Sequence, residues 1–141
     1  MKLTGLPARL YEAYNHHDPL AAARLYDAGA THEEIAQGSS RQGPEAIADG
    51  LRRFFQWFPD AHWQPQTQIT DPNGPVAITY LLTATLQAPM GPLAARGQRL
   101  SLRGVHVLLL GGELIRGSAD YWDAATFHRQ MNTTTTTGET A

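Results

Sequence analysis

The sequence has no cysteine, no long apolar run and no dense patch of basic side chains. Without cysteine the chain forms no disulfide, thiolate nucleophile or thiolate metal site, which fits a reducing compartment. Its longest apolar run, 105–110, has the length of a strand, whereas a membrane span needs roughly 18–20 residues. The formal net charge of −2 disfavours nucleic acid as a partner. Because residues 1–10 also lack the apolar segment of a signal peptide, we expect a soluble, cytoplasmic protein.

The 141 residues are 42% hydrophobic and 17% charged, which is typical of a globular chain with its own core. This length suits one domain that needs no disulfide or metal to fold. We predict a single domain over residues 1–132. A disordered tail is expected over 133–141, which begins with the low-complexity run Thr133–Thr137.

The spacing of apolar residues changes from helical to alternating along the chain. Alternation is clearest over 76–86, where the even positions are apolar and indicate one buried strand face. Predicted helices cover about 3–16, 19–26, 44–58 and 124–131, and predicted strands cover 31–36, 63–70, 76–87, 99–110 and 113–122, with a polar loop over 37–43. Helices segregated over an antiparallel sheet predict an α+β fold.

Several short motifs, in order, carry a family resemblance. With them the chain resembles the SnoaL-like polyketide cyclases, within the superfamily of nuclear transport factor two and ketosteroid isomerase, over about residues 6–131. The resemblance implies a cone-shaped α+β barrel, in which N-terminal helices pack on a curved, mainly antiparallel sheet around an apolar pocket. The motifs are Tyr14–Asp18, Gly43–Ile47, Phe58–Ala61, Met90–Leu93, Gly104–Val107, Gly112–Ile115 and Asp120–Asp123.

The resemblance also implies a chemistry. Well-understood members close a ring of an aromatic polyketide by intramolecular aldol condensation, with no metal and no organic cofactor. Asp120 matches the acid/base and His106 the polar residue beside it, while Tyr14 and the Gly50–Leu51 neighbourhood match pocket positions. Relatives are commonly homodimers or homotetramers, and we expect the same here.

The residues themselves leave the roles of Asp120 and His106 open. Burial in an apolar pocket would raise the pKa of Asp120 toward the value that general acid–base chemistry needs, but Asp120 also fits a structural hydrogen-bond partner. A histidine on an apolar face is usually a core residue. Counting from the Gly111–Gly112 turn predicts an offset of about three residues between the two, roughly 10 Å along the strand. In that arrangement His106 would hydrogen-bond to a substrate carbonyl or to Asp120.

Two other polar groups fit structural roles better. Asp123 precedes Ala-Ala-Thr and reads as a helix N-cap rather than as a second acid/base. His32 and Glu34 are expected at the pocket mouth, and with His106 they suggest a metal site. No compact ligand spacing supports that site, so we expect no metal.

Aromatic and apolar residues are candidates for the walls of a pocket suited to a flat aromatic ligand. Core packing is the alternative for all of them, and it is the better interpretation for Phe54 and Phe55. The predicted substrate-binding residues are Tyr14, Leu51, Phe58, Trp63, Tyr80, Met90, Trp122 and His32, with Trp57 as a further wall candidate.

Two other functions remain open at this point. One is a non-catalytic protein that binds an apolar small molecule, and the other is a hydroxylase-type or different ring-forming relative in natural-product biosynthesis. Epoxide hydrolysis is disfavoured, because relatives with that activity need an Asp and an Arg on the strand where this chain has Tyr80 and Leu82.

Overall fold

Residues 2–133 are described by the structure, which is a computed structural model. The predicted tail lies outside this range except for Thr133. No helix in the described range is both long and apolar enough to cross a bilayer. The helices are α1 (Gly5–Asn15), α2 (Pro19–Ala23), α3 (Pro44–Trp57) and α4 (Ala124–Met131), and the strands are β1 (Tyr26–Glu34), β2 (Ser39–Gln42), β3 (His62–Thr70), β4 (Pro75–Thr85), β5 (Arg99–Gly111) and β6 (Leu114–Trp122).

The strands form one mixed sheet in the order β2-β1-β6-β5-β4-β3. Neighbouring strands are antiparallel except β1 and β6, which are parallel. The four helices pack on this sheet, and β2 and β3 form its free edges, so the sheet is not closed. The predicted α+β fold is confirmed. Strand β4 buries alternate residues from Val76 to Ala84, as the sequence alternation predicts.

Two predictions for the segment 19–43 are wrong. The helix predicted over 19–26 ends at Ala23, and the strand predicted over 31–36 is β1, which already begins at Tyr26. Tyr26 belongs to the strand because its ring is buried and its hydroxyl lies 2.8 Å from Ser118 Oγ on β6. The polar loop predicted over 37–43 contains strand β2. Its side chains are mostly exposed because β2 is an edge strand, so its sequence lacks the apolar alternation that marks a half-buried strand.

The start of α4 is set by a side-chain cap at the end of β6. Asp123 accepts a hydrogen bond from the Thr126 backbone N–H at 3.2 Å, which confirms the predicted N-cap. Helix α4 is also tied to β5, since the Gln130 side chain both accepts from and donates to the backbone of Ser101. This attachment holds α4, whose Phe127 lines the cavity between the sheet and the helices, against the sheet.

Candidate active site

A cavity of about 150 Å³ lies between the sheet and the helices. Its walls are mainly apolar and aromatic, and a few polar side chains reach it from β1, β2 and β6. Asp120 lies on its wall. All eight residues predicted to bind substrate also line it: Tyr14, His32, Leu51, Phe58, Trp63, Tyr80, Met90 and Trp122.

Aromatic rings in contact with one another form much of the wall. The Tyr14 and Trp63 ring centroids are 4.9 Å apart, and Phe54 lies 5.0 Å from Phe58. Phe54 therefore belongs to the cavity wall, where the sequence favoured simple core packing. Phe55 does not line the cavity and instead stacks on His17 at 4.2 Å, as a packing residue would. Aromatic walls of this kind suit a flat, apolar ligand.

Strand pairing brings three polar residues into one row across the sheet. Asp120 on β6 is the register partner of Glu34 on β1 and of His106 on β5. The predicted offset of about three residues between His106 and Asp120 is wrong. The turn lies at Gly112–Glu113, one residue later than predicted, which removes two residues of the offset. A register irregularity between Leu109 and Leu110 removes the third, and counting from the turn cannot anticipate it.

Tyr80 is the direct hydrogen-bond partner of Asp120. Its hydroxyl donates to Asp120 Oδ1 at 2.7 Å. Gly104 stands opposite Tyr80 on β5, and a Cβ at this position would overlap the Tyr80 hydroxyl group. Burial raises the pKa of Tyr80, so the hydroxyl keeps its proton and remains a donor at neutral pH. The sequence identified Tyr80 only as a wall residue.

The environment of Asp120 favours its neutral form. Burial, and then the negative charge of Glu34, raise the pKa of Asp120 to about 7, while the Tyr80 hydrogen bond opposes the shift. A carboxyl group with such a pKa is partly protonated near neutral pH. It can therefore accept a proton in one step and donate it in another.

Asp120→Asn is expected to make the folded protein progressively more stable than wild type as the pH rises. The folded protein holds the Asp120 proton up to about pH 7, whereas the unfolded chain releases it near pH 4, so this residue lowers stability as the pH rises between these values. The gain in unfolding free energy should be larger at pH 8 than at pH 5 by about 2–3 kcal/mol. Urea unfolding of both proteins at the two pH values measures it, and an equal gain at both would contradict the raised pKa.

A second polar network lies beside Asp120. His32 Nε2 is 2.6 Å from Glu34 Oε2, and His32 Nδ1 is 2.7 Å from Ser118 Oγ. The other oxygen of Glu34 accepts a hydrogen bond from Trp122 Nε1 at 2.9 Å. Both carboxylate oxygens of Glu34 thus have protein partners. The network fixes the Trp122 ring on the cavity wall and holds the Glu34 charge close to Asp120.

His106 lies behind the cavity wall and is not among the residues that line it. The side chain is only 1% exposed, and Nδ1 is 3.2 Å from the Tyr11 hydroxyl of α1. Nε2 has no hydrogen-bond partner among residues 2–133. Burial and then the nearby His32 lower the pKa of His106 well below its ordinary value, so the ring is neutral.

Two polar residues of the wall were not predicted from the sequence. Gln37 reaches the cavity from a 3₁₀ turn (Ile35–Gln37) and Arg41 from β2, and both lie in the segment 37–43 that was predicted as a loop. Only the pairing of β2 with β1 brings them to the site, and no local signal in the sequence indicates this pairing. Within the described range, no three His, Cys, Asp or Glu side chains are placed to hold a metal ion.

Comparison with known proteins gives one family match. Residues 6–131 match the family described as SnoaL-like polyketide cyclase. No curated protein matches the sequence significantly.

Solved structures share the fold. A protein from Xanthomonas campestris, provisionally described as a polyketide cyclase, is 21% identical with a TM-score of 0.78, and the match covers 90% of this chain and 94% of that one. AclR of Streptomyces galilaeus, provisionally described as a hydroxylase, is 17% identical with a TM-score of 0.77 and coverages of 89% and 81%. TerC, co-crystallised with polyporic acid, is 14% identical with a TM-score of 0.76 and coverages of 91% and 96%.

Proposed function

The chain belongs to the SnoaL-like polyketide cyclase family, and we propose that it is a cofactor-independent cyclase acting in the cytoplasm. It closes a ring of an aromatic polyketide intermediate by intramolecular aldol condensation, a step of antibiotic-type natural-product biosynthesis. One observation carries this proposal: a carboxyl group with its pKa raised to about 7, Asp120, lies on the wall of an aromatic cavity.

Asp120 acts as both base and acid in the proposed reaction. The carboxylate takes a proton from the carbon between two carbonyl groups, and the resulting enolate carbon attacks a third carbonyl carbon of the same molecule. A carbon–carbon bond forms, and the protonated carboxyl gives its proton to the new alkoxide oxygen. Nothing is oxidised or lost, so the product is an isomer of the substrate. A proton flanked by two carbonyls is acidic enough for a base of this strength.

Tyr80 and His106 support Asp120 in different ways. The Tyr80 hydroxyl donates a hydrogen bond to Asp120 Oδ1, so the second carboxyl oxygen exchanges the proton. His106 is the register partner of Asp120, with its ring covered by Tyr11 and Tyr14 at centroid distances of 6.0 and 6.2 Å. We assign His106 a positioning role as the neutral polar neighbour of Asp120 within the sheet.

Incubation of the purified protein with a panel of anthraquinone-type polyketides, each as the free acid and as the methyl ester and with no cofactor added, tests the proposed function. Chromatography with mass spectrometry should show a product of unchanged mass and altered retention, formed with wild type and missing with Asp120→Asn. A ligand that binds but stays unchanged would contradict catalysis and favour a binding protein. A product heavier by one oxygen, formed only with an added reductant, would point to a hydroxylase.

The outer face of the sheet is proposed as the contact between copies in a homodimer or homotetramer. Val105 on β5 and Tyr121 on β6 pair across the strands and are 36% and 46% exposed, and Leu109 further along β5 is 50% exposed. Large apolar side chains grouped on one exposed sheet face are typical of a protein–protein contact.

Tyr121→Glu is expected to convert the oligomer into monomers, because it places a charge on this apolar face. Light scattering coupled to size-exclusion chromatography measures the mass directly. Gln56→Glu adds the same charge on helix α3, which lies on the other side of the sheet and where this side chain is exposed, and it should leave the mass unchanged. A monomeric wild type, or an oligomeric Tyr121→Glu variant, would contradict the assignment.

A further inference from the structure

Arg41 is a charged side chain on the cavity wall that has no protein partner. Within residues 2–133, no carboxylate lies within 4.0 Å of its guanidinium, and its side chain takes part in no hydrogen bond. The residue is partly buried. An arginine in a mainly apolar cavity usually pairs with a carboxylate, because its fork of N–H donors matches the two oxygens.

The fold makes specific room for this guanidinium. Gly50 lies inside helix α3 and also lines the cavity. A Cβ at Gly50 would lie 2.7 Å from Arg41 Cδ and 2.8 Å from Arg41 Cζ, closer than such atoms approach. Glycine is unfavourable inside a helix relative to alanine, and here the space of the missing side chain is occupied by Arg41. The glycine lets Arg41 lie against the helix on the cavity wall.

The other charged groups of the cavity are already engaged. Glu34 uses one oxygen for His32 and the other for Trp122, and Asp120 accepts from Tyr80. Arg41 stands directly opposite His32 in the pairing of β2 with β1, at the same end of the cavity as this network. It is therefore the cationic group that a ligand can reach, and the protein does not neutralise it.

We propose that the substrate carries a free carboxylate, which Arg41 binds. This inference rests on the proposed function and specifies its substrate class as an aromatic carboxylic acid rather than a neutral ester. The two guanidinium N–H donors of one edge hold the two carboxylate oxygens. The aromatic body of the substrate then lies along the apolar wall toward Asp120.

Titration calorimetry with two matched probes tests the inference. 2-Naphthoate carries the carboxylate, and 2-naphthamide is a neutral molecule of nearly the same shape. Wild type should bind the acid at least about tenfold more tightly than the amide, since a hydrogen bond to a charged group is worth about 10-fold to 150-fold in affinity. Arg41→Gln should remove this preference because it weakens the binding of the acid. The affinity for the amide should stay within about twofold of the wild-type value.

Two further variants separate contact from net charge. Arg103→Gln removes the same charge from an exposed position on β5 outside this cavity and should keep the acid preference. Gly50→Ala keeps the charge but displaces the guanidinium, and should reduce the preference. Circular dichroism melting confirms that each variant is folded.

Equal affinity of wild type for the two probes, a preference that survives Arg41→Gln, or no binding of either probe would overturn the inference. The proposed function has a separate outcome. Ring closure of neutral esters without any preference for the acid would support the proposed cyclase reaction and contradict only the inference that the substrate carries a carboxylate.

Discussion

Asp120→Asn is expected to lower the rate of ring closure by about 10²- to 10⁴-fold, the usual contribution of a general acid or base. The amide has nearly the shape of the carboxyl group and can still accept the Tyr80 hydrogen bond through its oxygen, but it cannot take up the substrate proton. Substrate binding should therefore change little. Turnover by chromatography and binding by titration calorimetry measure the two effects separately.

Asp123→Asn is the matched control. Asp123 carries the same side chain three residues later, but it caps α4 outside the cavity, and asparagine caps a helix about equally well. This variant should retain the wild-type rate. Turnover within a factor of a few of wild type in Asp120→Asn would remove Asp120 from the mechanism.

Gly104→Ala is expected to destabilise the protein by about 1–3 kcal/mol, which is typical of a group forced into filled space. The new methyl group would overlap the Tyr80 hydroxyl, so either the strands separate or Tyr80 leaves Asp120. In both cases the rate should fall by at least about tenfold, because the carboxyl loses its fixed orientation. Urea unfolding and turnover measure the two effects.

Gly117→Ala is the control for this substitution. A Cβ at Gly117 on β6 would lie 3.6 Å from the Thr31 carbonyl oxygen, an ordinary contact. Alanine there should leave stability and turnover close to wild type. If Gly104→Ala were equally harmless, the position of the Tyr80 hydroxyl beside Asp120 would be wrong.

The sequence predicted the fold where periodicity is strong. Alternation along β4 marks its buried face, and the Asp123 cap marks the start of α4, because both depend on neighbouring residues alone. The aromatic wall residues such as Trp63 and Trp122 were predicted from their residue type and position, whereas Tyr14 and Leu51 came from the family resemblance. Apolar side chains on the inner face of a helix or strand must meet either one another or the cavity.

The chemistry of the site depends on contacts that local pattern cannot show. The position of the β5–β6 turn, together with a register change after it, places His106 opposite Asp120. The missing side chain of Gly104 lets Tyr80 reach the carboxyl. Arg41 reaches the cavity only through the edge strand β2, whose sequence is polar. Each of these depends on the exact register or pairing of strands, which the local pattern of one sequence does not reveal.

The central claim is that the carboxyl group of Asp120 exchanges a proton near neutral pH inside the cavity. Carbon-13 NMR of the aspartate side chains, with Asp120→Asn to assign the signal, measures this exchange directly. We predict a titration midpoint of about 7 for Asp120. A midpoint near 4, the value of a solvated aspartate, would contradict the claim, because such a carboxyl is a weak base and carries almost no proton to donate at neutral pH.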